Sequence, residues 1–394
     1  MRFFATTFHG LEDVAASEVS GIVGEEAEAD VSKVFFTGSA GDCVKVNLAS
    51  QTVNKVFLLL LKDRAESLES VESLAASVDY TDLITRGQSF AVEAERVGSH
   101  PFTSLDIAAA VGRAVIESYR AATGFRLRVD LKNPDVKLYV ILRGDELLLG
   151  LNTTGESLHR RFYRRGAHRA ALSPTVANAV VRISGWRPGR TLLDPFCGSG
   201  TIPLEAAVYG LDICPGARTG QLAFQKICLF DAEEAEKVKQ EMLRREKRGA
   251  VDVVGLDISS KALALAEESR AVFGFDCGVR FVRGDVFKLD RYITQRVDTV
   301  VCNPPFGVRM KVEDPEKFYT EAFKAVMKAC PNAFLTVICN KPFKMLRALE
   351  NSLYNPISLK KVLLGDLAAY VFSSASTGTS LDSVFSGRRV SEKL

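Results

Sequence analysis

Long apolar runs are missing from this 394-residue chain: none approaches the roughly 18 residues of a spanning segment, which excludes a hydrophobic membrane helix. A secretory leader is missing too. Acidic Glu12 and Asp13 follow Met1-Arg2-Phe3-Phe4 too early for its layout, so a cytosolic protein is expected. The eight cysteines, at 43, 197, 214, 228, 277, 302, 330 and 339, include no Cys-x-x-Cys pair and no His/Cys grouping at metal-ligand spacing. Reduced, mostly buried thiols and no metal site are expected. Internal repeats and low-complexity blocks are also absent, apart from a Ser/Thr/Gly-rich tail from Ser373 onward. What remains is ordinary globular material, 47% hydrophobic and 25% charged, at a length that suits two or three domains.

The net charge of +3 hides an uneven distribution. Residues 1–95 carry 16 Asp/Glu against 7 Lys/Arg, whereas residues 96–170 carry 13 Lys/Arg against 7 Asp/Glu. A basic segment of this kind is the footprint expected of a phosphate-backbone binder; a solvated surface is the competing reading.

From the N-terminus, residues 1–7 read as a strand, 10–20 as a helix opened by acidic residues, and 31–37 with 43–48 as a hairpin pair. Residues 52–61 read as a second helix or a strand. The alternation predicts a small ferredoxin-like α/β unit. Residues 67–79 read as a helix and 89–96 as a strand. Thr103 or Ser104 can cap a helix whose apolar face runs through Ile107, Ala110, Val111, Ala114 and Val115. Two strands then flank the turn Lys132-Asn133-Pro134-Asp135, and another strand leads to a basic exit.

The strings HPFTS (100–104), VDLKNPDVKLYV (129–140) and TTGESLHRRFYR (153–164) resemble a THUMP domain of the kind fused to S-adenosylmethionine methyltransferases that act on RNA. The resemblance implies that this domain grips the acceptor end of tRNA without carrying chemistry. It favours an RNA-facing role for Arg126, Arg128, Arg160, Arg161, Arg164 and Arg165, whose guanidinium forks suit phosphates. His100 reads as structural.

A helix is predicted to begin near Pro174, with Ser173 as its cap. The loop before it, residues 168–174, resembles a segment that folds over the cofactor in these methyltransferases, implying contacts from Ser173 and Pro174 ahead of His168. Next, Leu192 and Leu193 form a short buried strand ended by Asp194, Gly198 and Gly200 make a tight turn, and residues 201–209 have helical spacing. Small residues there let backbone approach a ligand, and the helix start offers free amides. The full run Asp194-Pro195-Phe196-Cys197-Gly198-Ser199-Gly200-Thr201 resembles the S-adenosylmethionine loop of amino-methyltransferases. It departs from the dinucleotide pattern at Pro203, where a third glycine would stand.

An acidic residue to bind ribose hydroxyls is expected about 20 residues further on. Asp257, followed by Ile258, ends a suitable strand 57 residues after Gly200, and an insertion at 212–249 accounts for 38 of these. Asp257 can also cap the helix after it. A third strand ends at Gly284-Asp285-Val286; the resemblance implies that Asp285 reads the adenine amino group while Val286 or Phe287 packs on the ring. The fourth strand, 297–302, stops at Asn303-Pro304-Pro305-Phe306, since two prolines cannot continue a ladder. Strand ends at 194, 257, 285 and 303 are predicted to share one edge of a parallel sheet.

An exocyclic amine is a poor nucleophile because its lone pair is delocalised into the base. The Asn303 side-chain oxygen and the Pro304 carbonyl can accept its N–H bonds and favour a tetrahedral nitrogen, and Phe306 can stack on the extruded base. The expected fold class is α/β, with ferredoxin-like (1–65) and THUMP (66–158) domains, a linker (159–172) and a Rossmann-like seven-stranded methyltransferase domain (173–372). The unmatched tail, 373–394, has the composition of a disordered segment. The resemblance implies an enzyme forming N2-methylguanosine in the tRNA acceptor stem, at position 6, with S-adenosyl-L-methionine as cofactor. Alternatives are a guanine-N2 methyltransferase of 23S rRNA, an amino-methyltransferase of DNA adenine or protein glutamine, and a non-catalytic RNA-binding protein. A monomer is the default expectation for its assembly.

Overall fold

The computed structural model describes residues 1–164, 172–305 and 314–376. They form two compact units: residues 1–7, 15–160 and 214–244 make the first, and residues 8–14, 161–213 and 245 onward the second.

In chain order the first part runs β1 (Arg2–Thr6), α1 (Glu12–Val23), β2 (Glu28–Asp30), β3 (Lys33–Thr37), α2 (Ala40–Ala49) and β4 (Lys55–Arg64). It continues with α3 (Leu68–Ala76), β5 (Ser89–Val97), α4 (Ser104–Thr123), β6 (Arg128–Val129), β7 (Val136–Arg143) and β8 (Glu146–Asn152). The strands make one sheet, β2-β3-β1-β4-β8-β7-β5-β6. Antiparallel pairing of β4 with β8 joins its two halves. Alternate residues of β7, namely Val136, Leu138, Val140 and Leu142, are buried in a core shared with α4, as a period of two requires. On α4 the predicted apolar face is buried and Thr103 is the cap, its hydroxyl accepting from the Asp106 N–H while the Asp106 carboxylate accepts from the Thr103 N–H at 2.7 Å. The strands β6 and β7 do not pair with each other; both lie parallel to β5, one on each side.

Residues 43–48 are helical, not the expected second arm of a hairpin. Ser39 and Asp42 form a reciprocal capping box, and Cys43, Val44, Val46, Asn47 and Leu48 of α2 are buried. An alternating reading of that stretch overlooked the start signal just before it. Of residues 52–61, open between helix and strand, 55–61 belong to β4 and 52–54 precede it. The segment 214–244, inserted in sequence between methyltransferase strands, packs with the first unit. Leu222, Phe224, Ile227 and Phe230 enter its core, and the Phe224 N–H donates to the Thr153 carbonyl at 2.7 Å.

Helix α7 (Ala232–Arg245) lies in the inserted stretch and belongs, but for its last residue, to the first unit; the second unit contains α5 (Pro174–Ile183), β9 (Leu192–Asp194), α6 (Thr201–Gly210), β10 (Val253–Asp257), α8 (Ser260–Ala271), β11 (Val279–Arg283) and β12 (Thr299–Cys302). It ends with α9 (Pro315–Ala329), β13 (Phe334–Cys339), α10 (Pro342–Glu350), β14 (Tyr354–Leu364) and β15 (Leu367–Ser376). Its seven strands run β11-β10-β9-β12-β13-β15-β14, parallel from β11 to β13 and antiparallel at β15. Helices α5 and α6 pack in one cluster with Leu192, Val301 and Ile338, while α9 and α10 pack in another with Val300, Leu335 and Val337. Burial on both faces explains the near-continuous apolar strands and gives the expected doubly wound sheet. The sheet extends further than composition indicated: Ser373 and Ser374, read as tail, are buried in β15. Residues 377–394 lie outside the described residues.

Candidate active site

Four neighbouring parallel strands, β11, β10, β9 and β12, end along one edge, and the sequence-predicted residues stand there: Asp194, Asp257, Asp285 and Asn303. Backbone hydrogen bonds lace the ends together. The Cys197 N–H donates to the Leu256 carbonyl at 3.0 Å and the Gly284 N–H to the Asp257 carbonyl at 3.1 Å.

After β9 the chain turns through Gly198 (φ 52°) and Gly200 (φ 81°), left-handed conformations that favour glycine, and Gly200 caps α6. A Cβ on Gly200 would fall 2.6 Å from Phe281 Cζ and 3.0 Å from Ala266 Cβ, so the loop closes against α8 and β11 only without a side chain. Ser199 and Thr201 are half-buried, as is Phe196, whose ring lies 6.1 Å from that of Phe318. Asp194 is buried, and one carboxylate oxygen accepts from the Phe196 N–H at 3.0 Å. Burial first, and then the charge of Asp257, push its carboxyl well above the usual range.

Asp257 Oδ2 accepts from the Gly198 N–H at 2.9 Å and Oδ1 from the Ser259 N–H at 2.8 Å. Ile258, beside it, is 64% exposed, so an apolar side chain stands in solvent at the strand edge. Asp285 accepts from the Phe287 N–H at 3.0 Å and caps a short 3₁₀ turn; Val286 is buried, and Phe287 is exposed with its ring edge-on to Phe318. Ser173 occupies the cap position of α5 without capping a backbone amide. Its hydroxyl instead lies 3.1 Å from the Thr175 hydroxyl, and Pro174 takes the first helical turn as expected.

At the end of β12, Asn303 Oδ1 is buried and has no hydrogen-bond partner among the described residues. Such an acceptor is costly unless something brought to the site donates to it. Pro304 is buried, and the Pro305 carbonyl accepts from the Tyr319 hydroxyl at 3.0 Å, which anchors the loop to α9. Sequence reasoning missed Tyr319; its position on the buried face of an amphipathic helix was the available signal. Phe306 lies outside the described residues, as do Arg165 and His168.

The basic residues divide. Arg126, Arg128 and Arg160 are exposed; Arg128 has Asp135 at 3.9 Å and Arg160 pairs with Glu156 at 2.7 Å. Arg164 is half-buried. Arg161 does not face solvent, contrary to expectation. Its side chain is fully buried and donates to both oxygens of Glu205 on α6, at 2.8 and 3.1 Å. Glu205 also accepts from the Tyr163 hydroxyl at 2.7 Å and Asn178 Nδ2 at 2.9 Å. The signal for this network was a single carboxylate within the apolar run of α6, which cannot be buried without partners.

Among the described residues no group of His, Cys, Asp and Glu is arranged to hold a metal ion, and no helix is long and apolar enough to cross a membrane.

Comparison with known proteins agrees with this arrangement. Residues 161–369 match the RMKL-like methyltransferase domain, residues 65–152 the THUMP domain and residues 2–57 the RlmL ferredoxin-like domain. The chain is 31% identical to a tRNA (guanine(6)-N2)-methyltransferase of Methanocaldococcus jannaschii, over 94% of this chain and 99% of that one. It is 28% identical to a ribosomal RNA large subunit methyltransferase K/L of Photobacterium profundum, over 81% of this chain but 46% of that protein. The crystal structure of TrmN from Thermus thermophilus superimposes with a TM-score of 0.70 at 28% identity, covering 95% of this chain and 99% of that one. With its THUMP domain ahead of a doubly wound sheet whose strand ends carry Asp194, Asp257, Asp285 and Asn303, the chain belongs to the RMKL-like methyltransferases.

Proposed function

We propose that the chain transfers a methyl group from S-adenosyl-L-methionine to N2 of a guanine in the tRNA acceptor stem, at position 6. The observation that carries the chemistry is the orphaned, buried Oδ1 of Asn303 at the end of β12. Similarity along nearly the whole length of the Methanocaldococcus jannaschii enzyme favours tRNA over rRNA, because the K/L match leaves more than half of that protein uncovered.

The residues at the strand ends fit the cofactor. Asp257, at the end of β10, can accept from ribose hydroxyls, Gly198, Ser199, Gly200 and Thr201 can offer backbone at a helix start, and Ser173, Pro174, Asp194 and Phe196 are assigned to the same cofactor. Ile258 and Phe287 offer exposed apolar side chains to an adenine ring, Val286 is assigned to the same ring, and Asp285 can accept a hydrogen bond from the adenine amino group. When bound, the cofactor supplies a methyl group on a cationic sulfur. Asn303 Oδ1 and the Pro304 carbonyl accept the two N–H bonds of the guanine amine, turning its lone pair out of conjugation and holding it in line for transfer. Phe306 supplies a stacking face for the extruded base. After transfer, the surplus amine proton leaves to solvent.

Arg126, Arg128, Arg160, Arg164 and Arg165 are assigned to RNA phosphates and Arg161 to the fold. The reading places the protein in the cytoplasm, as a monomer that needs no metal. Incubation with labelled S-adenosylmethionine and, separately, unmodified total tRNA and rRNA, followed by nucleoside analysis, tests it. N2-methylguanosine in tRNA is expected; label confined to rRNA would select the K/L-type substrate, and no label in either would overturn the reading.

A further inference from the structure

Asn303 is not alone in leaving a buried amide oxygen unsatisfied. Asn340, the residue after β13, also has a buried Oδ1 with no hydrogen-bond partner among the described residues. The other orphaned side-chain atoms of this unit, on Thr336, Tyr354 and Ser374, belong to residues within strands, whereas Asn303 and Asn340 both follow a strand's carboxyl end.

Register places the two amides together. β12 and β13 are parallel neighbours with Cys302 opposite Val337, so continuing the ladder sets Asn303 opposite Ile338, two residues before Asn340. Side chains alternate with a period of two, so Asn303, Ile338 and Asn340 share one face of the sheet, the face on which Val301 and Ile338 meet α5 and α6. Adjacent strands and a two-residue offset separate the two Cα atoms by about 8 Å. Two acceptors on one face at that separation can converge on neighbouring donors of one flat group.

We infer that Asn340 is a specificity residue for the base, its Oδ1 accepting the N1–H of guanine while Asn303 Oδ1 accepts from the adjacent N2 amine. The assignment rests on the guanine-N2 reading given above. Guanine presents two neighbouring donors there, N1–H and N2–H. Adenine presents a bare N1 lone pair, which would face the Asn340 oxygen and repel it. A buried acceptor that loses its donor discriminates strongly, because the mismatched base leaves it unpaired. Asn303 then serves the reacting nitrogen and Asn340 chooses the base that carries it.

The experiment compares methyl transfer to full-length tRNA carrying guanosine or 2-aminopurine at the target position. 2-Aminopurine keeps the N2 amine but has no N1–H. Wild type should prefer guanosine, and Asn340→Ala should lower kcat/KM on guanosine by about 10- to 100-fold while leaving 2-aminopurine no worse and relieving its repulsion, so that the preference collapses. Asn340→Asp, which keeps an acceptor, should retain the preference. Should Asn340→Ala not fold, Asn340→Leu of similar size carries the same expectation. An equal loss on both substrates would overturn the role of Asn340 while leaving the guanine-N2 reading intact. A wild-type enzyme that methylates neither tRNA nor rRNA guanosine would overturn that reading and this inference with it.

Discussion

The Gly198 N–H donates to Asp257 Oδ2 at 2.9 Å, joining the glycine turn after β9 to the end of β10 across 59 residues of sequence. The other oxygen of Asp257 accepts from the Ser259 N–H, so one carboxylate orders both the turn and the start of α8. Asp257→Ala should lower cofactor affinity and cost about 1–3 kcal/mol of stability through the two amides it leaves unpaired. Asp257→Asn keeps one acceptor oxygen and should recover part of the stability. Calorimetric titration with S-adenosylhomocysteine and urea unfolding measure the two effects; unchanged affinity in Asp257→Ala would remove the residue from the cofactor site.

Asn303→Ala should lower methyl transfer by roughly two to three orders of magnitude and leave binding of cofactor and tRNA near the wild-type level. Its oxygen makes no hydrogen bond to a described residue, so the fold loses no known partner. Removal of an acceptor used in the transition state costs on the order of 10²–10³ in kcat. Weakened cofactor binding, with transfer otherwise intact at saturation, would show that Asn303 serves the cofactor instead.

The two turn glycines should respond differently. Gly200→Ala combines φ 81° with a Cβ set against Phe281 and Ala266, whereas a Cβ on Gly198, at φ 52°, meets nothing within 4 Å. A left-handed conformation alone costs an L-residue roughly 1–2 kcal/mol, and Gly200→Ala adds a steric term to it. Thermal melts should therefore place Gly200→Ala below Gly198→Ala. The reverse order would mean that the loop relaxes easily away from Phe281.

Much of the layout of this candidate site was legible because it is built from short local runs at the ends of apolar strands. A strand ended by Asp194 and followed by Gly198 and Gly200 reads directly, as does a strand stopped by Pro304 and Pro305. The insertion could also be subtracted to recover Asp257, although its apolar residues show only in three dimensions that they pack with the first unit. Arg161 was misread because charge in a basic run carries no information on burial, which depends on Glu205 far along the chain. Residues 43–48 were misread because period-two and helical spacing look alike over six residues, and the Ser39–Asp42 capping box decides between them. Asn340 was invisible for a simpler reason. A single amide after a strand becomes informative only when its neighbour across the sheet is known.

Arg160 and Arg161 are adjacent in sequence and should have opposite phenotypes. Arg160 is exposed and pairs with nearby Glu156, so Arg160→Ala should weaken tRNA binding, with a shallower salt dependence, and leave stability within about 0.5 kcal/mol. Arg161→Ala leaves the buried Glu205 carboxylate without its ion-pair partner and should destabilise by about 3–5 kcal/mol. Denaturant midpoints and filter binding separate the two. A stable Arg161→Ala protein defective only in RNA binding would restore Arg161 to the RNA surface.

The buried carboxyl of Asp194 should make stability depend on pH in a predictable direction. Burial, followed by the charge of Asp257, raises its pKa in the folded protein well above 3.8, so the folded state holds this proton more tightly than the unfolded chain does. The contribution is fully present below the unfolded value and is lost as pH rises through the folded one, because ionisation then places an uncompensated charge in the interior. Asp194→Asn keeps an oxygen for the Phe196 N–H without the charge. In urea unfolding of the ligand-free protein, the stability of Asp194→Asn relative to wild type should therefore rise with pH above about 4 and level off once Asp194 is ionised. A difference that stays flat from acid to neutral pH would mean that Asp194 is not raised, and that water or a local rearrangement solvates it.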